Sequence, residues 1–417
     1  MYEHVPLWSL CTLNDDTLRE DTSPNVTFEY VDISSVSEGV ISDNLEIYSF
    51  EDSPSRARRL AQVDDIIVST VRTYLRAIAQ VSDSDHFRVY STGFAVLRPL
   101  FHVVIPKYLL YVLTSADVMG EIVASSVGVS YPAIQASKLM RIRVPCPDIV
   151  SQRNIVKYLD RESADIDTLI SYLSSLTNQL VSRRQTIILE ATGQAGLRVG
   201  AASECGVGLN VGWRMIPLKF VLESAQTGVW GDDANGGEDD ICCVRVADFD
   251  RVRLCVPDAP TVRRVPYADR VKCGIRRGDI LVEKSGGTER NPVGTVVAYE
   301  GNSAAVCSNF ILRLRCREGQ DDRFWLYSLH GSYVAGRTWN FVRQTTGIQN
   351  LDVNGFMSMS HPAPDFDEQR RIADHLDEVT GRIDAMLAKI DELKALLVER
   401  RSALITDVVT GRKKIPS

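Results

Sequence analysis

Two long stretches of the chain carry an apolar residue at every seventh position. In the first, Leu159, Ile166, Leu173, Leu180 and Ile187 form one row, and Ile155, Leu169 and Leu176 form a second. In the other, Leu376, Ile383, Ile390, Leu397 and Leu404 repeat the first row, and Ile372, Val379, Met386 and Leu393 the second. Heptads of this kind predict long helices whose seam is buried against another helix. An open seam of that length would be a large apolar patch in water, so the two helices are expected to pair with each other, antiparallel. Asp148 and Asp365 follow Pro-x-Pro and serve as N-caps, with Glu368 completing a capping box in the second copy. Thr192-Gly193 and Thr410-Gly411 mark the ends. Each helix is then about 40 residues, on the order of 60 Å. Arg183 and Arg400 interrupt the second row at equivalent points. Either the guanidinium reaches solvent along its stem, or it meets a carboxylate at the base of the opposite globular unit.

The helices belong to a larger repeat. Residues 145–190 lie on 362–407 without a gap, pairing Pro145/Pro362, Gln152/Gln369, Asp160/Asp377, Asp167/Asp384 and Arg184/Arg401 among many others. So many matches in register mean that a whole unit was duplicated. Ahead of each helix the pattern changes to short apolar runs and turns. Asp65-Ile66-Ile67-Val68 matches Asp279-Ile280-Leu281-Val282, Asp32 matches Asp248, and Phe94 matches Phe310. The Asp-led runs read as short buried strands. The expected fold is α+β, a pseudo-twofold repeat of two mixed globular domains (1–147 and 213–364) joined by long helices (148–193 and 365–411) in an antiparallel coiled coil. Residues 194–212 form a Gly-rich linker, and 412–417 a short tail.

Composition narrows the function without naming it. A net charge of -7 argues against a general nucleic-acid coat, although arginines at 263, 264, 276 and 277 leave the second unit nearly balanced. The nine cysteines form no CxxC pair and no metal-like cluster with the six histidines, so they read as reduced thiols and no metal site is expected. No leader or membrane helix is evident, and a cytoplasmic location is expected. No P-loop or methyltransferase motif is present, and Asp64-Asp65, Asp239-Asp240 and Glu283-Lys284 lack the spacing of a nuclease site. No catalytic residue is therefore assigned.

The run P-x-P-x-x-x-x-Q-R-x-I-x-x-x-L-D, at Pro145 to Asp160 and again at Pro362 to Asp377, leads in each copy to a long helix ending in Thr-Gly. This arrangement resembles the specificity subunit of Type I restriction-modification enzymes over essentially the whole chain. The resemblance implies two target recognition domains, each reading half of a split site in double-stranded DNA. It also implies helices that space them and dock two methyltransferase subunits, with or without restriction subunits. S-adenosylmethionine would then be bound by the methyltransferases and no cofactor by this chain. The first helix has Ser151 and Asn154 where the second has Glu368 and Arg371, so the two docking faces are expected to differ in strength. Binding to one face of a duplex would favour roughly 34 to 36 Å between domain centres.

Candidate DNA contacts follow from residue type. Lys284, Ser285, Gly286, Gly287, Thr288 and Arg290 form a loop after a predicted strand, where glycines admit close backbone approach and the side chains donate to phosphates or base edges. Similar Lys-Ser-Gly-Gly loops occur in the family. Arg72, Thr73, Tyr74 and Arg76 occupy the corresponding place in the first unit but without glycines, so different half-sites are expected. Ser130 and Tyr131, and in the second unit Thr346, Gln349 and Asn350, are further candidates, with polar turn residues as the alternative. Trp230, Trp325 and Trp339 are stacking platforms or core. The competing function is a coiled-coil scaffold bridging two protein-binding domains without touching DNA.

Overall fold

The computed structural model describes residues 2–415 apart from 38, 83–85, 129–130, 196, 198–211, 258–260, 289–290 and 346. Most of the Gly-rich linker, together with Ser130, Arg290 and Thr346, therefore lies outside the described residues. Two compact units are present. Unit 1 comprises residues 1–173 and 392–417, and unit 2 comprises residues 174–391.

In unit 1 the Asp-led run becomes the buried strand Ile66–Ser69, flanked antiparallel by Ile78–Gln80 and Phe94–Pro99, with Cys11–Leu13 beyond. In unit 2 the matching strand Ile280–Glu283 lies between Val296–Tyr299 and Ile311–Cys316. Each unit adds a five-stranded sheet, which contains one parallel pair: Arg88–Ser91 with Thr27–Val31, and Asp240–Val244 with Ala305–Cys307. The aspartate opening each central strand is 1% exposed and takes two hydrogen bonds from one arginine, Arg98 to Asp65 and Arg315 to Asp279. A buried carboxylate requires such a partner, which explains why this position survived in both copies.

Each lobe closes on a two-stranded ladder that feeds its helix. His4–Pro6 pairs with Arg143–Pro145, and Arg214–Pro217 with Ser360–Ala363. The helices follow at Ile149–Ala191 and Phe366–Val409. The carboxylates of Asp148 and Asp365 accept the Ser151 and Glu368 N–H groups, as expected of N-caps. The reciprocal half of the capping box is not made, because the Glu368 side chain turns to Arg371 instead. Gly193 and Gly411 take the left-handed conformation just past the ends.

The repeated glutamine of the signature is a buried clamp. Gln152 Oε1 accepts the Ile105 N–H while its Nε2 donates to the carbonyls of Val103 and Pro147. Gln369 does the same with the Asp321 N–H and the Pro364 carbonyl. About three turns into each helix the repeated aspartates tie it to the lobe, where Tyr111 donates to Asp160 and Tyr327 to Asp377. The duplicated motif is thus the joint between lobe and helix.

Within unit 1 the start of the first helix runs antiparallel to the end of the second. Ile155 and Leu159 share a core with Ile405, Val408 and Val409, and Asp167 pairs with Arg401. Within unit 2 the relation recurs, with Ile188 packed in the core that holds Ala373 and Leu376, and Arg184 3.3 Å from Asp384. The first heptad row is the buried one at Leu159, Ile166, Leu376, Ile383, Ile390 and Leu397, with Leu173 and Leu180 half-buried. The second expected row holds at its start, where Ile155 is buried and Ile372 and Val379 are half-buried, and then slips by one residue. Leu169, Leu176, Met386 and Leu393 are exposed, and the positions that turn inward are Ile170, Thr177, Leu387 and Lys394. The inward row is largely polar, so the nearest apolar neighbours imitate a seam. Arg183 and Arg400 are exposed, which favours the solvent reading, while the adjacent Arg184 and Arg401 make the ion pairs. Among the described residues no helix is long and apolar enough to cross a membrane.

Candidate nucleic-acid interface

In unit 2 the strand Ile280–Glu283 delivers the Lys-Ser-Gly-Gly stretch directly onto a second candidate segment. Ser285–Gly286 pairs with Ile348–Leu351, which forms a hairpin with Val342–Thr345, so Ser285 lies opposite Asn350 and Gly286 opposite Gln349. Two stretches far apart in sequence become one three-stranded patch. Strand alternation then decides which side chains are available. Ile348 and Asn350 face out, whereas Gln349 is 7% exposed and its Oε1 accepts the Val293 N–H. Ser285 is also buried, donating to Asn350 Oδ1 at 2.7 Å. Gln349 and Ser285, expected at the surface, are instead turned inward and hold the patch together.

The two glycines are set by the turn. Gly286 and Gly287 have φ of 121° and 49°, and a Cβ on Gly287 would stand 2.8 Å from both Gln349 Oε1 and the Val293 nitrogen. Lys284 is half-buried and Thr288 exposed, with the Thr288 hydroxyl accepting the Asn291 N–H. Below them Glu283 is 2% exposed, pairing with Arg251 at 2.9 Å and accepting the Gly287 N–H. Burial pushes its carboxyl above the usual range, against the pull of Arg251 and that N–H.

Unit 1 assembles its candidates differently. After Ile66–Ser69 the chain bridges to Ala133 at Val71, and the Arg72 N–H donates to the Pro132 carbonyl. Arg72 and Arg76 are both left-handed, with φ of 50° and 53°, and flank the single turn Thr73–Leu75. Thr73, expected at the surface, is buried, its hydroxyl 2.9 Å from that of Ser126, and anchors the turn. Arg72, Tyr74, Leu75 and Arg76 face out, and the Arg72 guanidinium lies 4.7 Å from the centre of the exposed Tyr131 ring. The result is a surface with two cations and two aromatic rings, suited to phosphates and stacked bases. Non-glycine residues in the left-handed region cost roughly 1 kcal/mol or more each, and such strain is a feature of functional turns.

Among the other expectations, Trp325 is core while Trp230 and Trp339 are 38% and 52% exposed. The arginines that were to balance unit 2 are largely engaged: Arg263 with Asp233, Arg264 with Asp232 and Arg276 with Glu223.

The architecture is that of known proteins. No family model matches the chain. It is 21% identical over 290 residues to the Type I restriction enzyme StySPI specificity subunit of Salmonella potsdam, a match covering 69% of this chain and 61% of that protein. The HsdS subunit from Thermoanaerobacter tengcongensis aligns over 99% of this chain and 97% of its own at TM-score 0.51 and 22% identity. A solved chain described under complex assembly and conformational transition of the type I R-M system aligns over 98% and 97% at TM-score 0.73 and 22% identity. The chain shares the mixed helix-and-strand fold of these proteins, two domains joined by long helices, and resembles Type I specificity subunits.

Proposed function

We propose that the chain is the DNA-reading subunit of a Type I restriction-modification complex, each unit reading one half of a bipartite site. One observation carries the reading. A strand that matches in both copies, Ile66–Ser69 and Ile280–Glu283, leads in each unit into a polar turn, yet the turns are built from unrelated residues. A duplicated frame with divergent tips is what two different half-sites require. Its likeness to the StySPI specificity subunit supports the same role. Arg72, Tyr74, Arg76 and Tyr131 read for unit 1, and Lys284, Thr288 and Asn350 for unit 2. A scaffold with no nucleic-acid role gives no reason for the cationic, aromatic tip on strained backbone that unit 1 presents.

The chain contributes recognition and no chemistry in this reading. Two methyltransferase subunits bring S-adenosylmethionine, and restriction subunits join some assemblies. In unit 1 the helix segments leave Leu169, Tyr172, Leu393 and Leu396 exposed, between 46% and 69%, apolar area to which a methyltransferase would dock. With a net charge of -7 the chain alone binds DNA weakly, and the partners supply much of the phosphate contact.

Co-expression with a Type I methyltransferase subunit, followed by single-molecule sequencing of methylated adenines, tests the role. A split motif is expected, and replacing residues 1–144 with those of another such protein should change one half of it. No methylation, or a change in both halves, overturns the proposal.

A further inference from the structure

Behind the Lys-Ser-Gly-Gly turn of unit 2 lies a cleft of about 490 Å3 whose lining includes Trp230, Arg245, Glu283, Ser285, Asn309 and Phe310. That volume falls within the about 300–1,000 Å3 typical of small-molecule sites. The cleft is tied to the turn, since the N–H groups of Lys284 and Ser285 both donate to the Phe310 carbonyl. Two large aromatic side chains stand open beside it, with Trp230 38% and Phe310 46% exposed. The exposure of Phe310 is not inherited from the fold, because Phe94, its match in the first repeat, is 1% exposed core. Arg263 lies 4.5 Å from the Trp230 ring centre and holds that ring in place. Among these aromatic and apolar walls sits Glu283, whose two oxygens each take one donor, Arg251 and the Gly287 N–H. A carboxylate has roughly four acceptor sites, so Glu283 retains capacity for another donor.

We propose that this cleft binds a nucleobase, stacked against Phe310 and Trp230, with its exocyclic amine donating to Glu283. The occupant follows from the lining. An aliphatic side chain would satisfy the walls and leave the carboxylate's remaining acceptor sites unused, and a phosphate would be set against a carboxylate. A planar ring bearing an amine meets both demands, as adenine, cytosine and guanine do; thymine has no amine, and its one ring N–H is flanked by two carbonyls that a carboxylate repels. The base comes from DNA held at the turn or from a free nucleotide. Only the first source depends on the DNA-reading role.

Saturation-transfer NMR on the full chain with dAMP, dCMP, dGMP and dTMP tests the site directly. The three amino-bearing nucleotides should bind roughly tenfold or more tightly than dTMP. Phe310→Ala, at an exposed position, should weaken binding by roughly tenfold, and Glu283→Gln should erase the preference over dTMP. A duplex with one unpaired cytosine, compared with the same duplex fully paired, then separates the sources. Displacement of dCMP by the bulged duplex alone assigns a base from DNA, and no displacement by either assigns a free nucleotide. Absence of transfer from all four nucleotides, or binding unchanged in both Phe310→Ala and Trp230→Ala, overturns the proposal. Split-site methylation on co-expression would persist in that event, so loss of this site and loss of the DNA-reading role give different results.

Discussion

At the scale of single residues, the backbone of the two turns reveals what they cost. Gly287 combines a φ of 49° with contacts that leave no room for a Cβ. Gly287→Ala should therefore destabilise unit 2 by about 1–3 kcal/mol, measured as a shift of the urea midpoint. Arg72 presents the opposite case. Its left-handed conformation is unfavourable for any side chain, so Arg72→Gly should leave stability unchanged or raise it by up to about 1 kcal/mol while weakening methylation of the target in the assembled complex. Lower stability together with undiminished methylation would mean that the strain serves only the fold. The sequence made the locations of both turns legible, because each follows a repeated strand. It did not reveal that Gln349, Ser285 and Thr73 point inward, since that depends on pairing with Gly286, Asn350 and Ser126, which lie far away along the chain.

At the scale of elements, the helices were legible almost to the residue, because caps, glycine ends and a strict heptad all agree. The inward row was not. Its members include Thr177, Arg184, Lys394 and Arg401, which no hydrophobicity pattern selects. The repeat itself held the missing signal: Asp167, Arg184, Asp384 and Arg401 all match between copies, and they are the two cross-helix pairs. Symmetry in sequence does not bring equal energy here. Arg184 and Asp384 have side chains 6% and 16% exposed, whereas those of Arg401 and Asp167 are 29% and 62% exposed. Burial holds the Asp384 carboxyl above its usual range even with Arg184 beside it. Asp384→Ala leaves a buried guanidinium unpaired and should cost about 3–5 kcal/mol. Asp167→Ala removes a solvated partner and should cost no more than about 1 kcal/mol. Denaturation of the two variants under identical conditions measures the difference, and equal losses would show that exposure does not set the strength of these pairs.

At the scale of the whole molecule, duplication produced two units with one plan and different interiors, and the difference appears in their response to acid. All three histidines of unit 1, His4, His86 and His102, are exposed. Unit 2 buries two, His330 and His361, and His361 occupies the strand position where unit 1 has Val144. His361 stands 3.3 Å from the hydroxyls of Ser328 and Ser332, and Arg337 close by bonds to Gln194 and to the Ser360 carbonyl. Desolvation, with Arg184 adding repulsion at His330 and Arg337 at His361, lowers both histidines from 6.5 to about 3. A lowered folded pKa means that the unfolded chain binds more protons between those values, so the stability contribution is complete above pH 6.5 and declines as pH falls towards 3. Each histidine then costs about 1.4 kcal/mol per pH unit within that window. Unit 2 should loosen before unit 1 as pH drops from 7 to 5, seen as earlier loss of hydrogen-exchange protection in Ile280–Glu283 than in Ile66–Ser69 after correction for intrinsic rates. His361→Val, which copies the residue of unit 1, should reduce this acid sensitivity by about half. Simultaneous loss in both units, or an unchanged slope in the variant, would place the acid response elsewhere than in these buried rings.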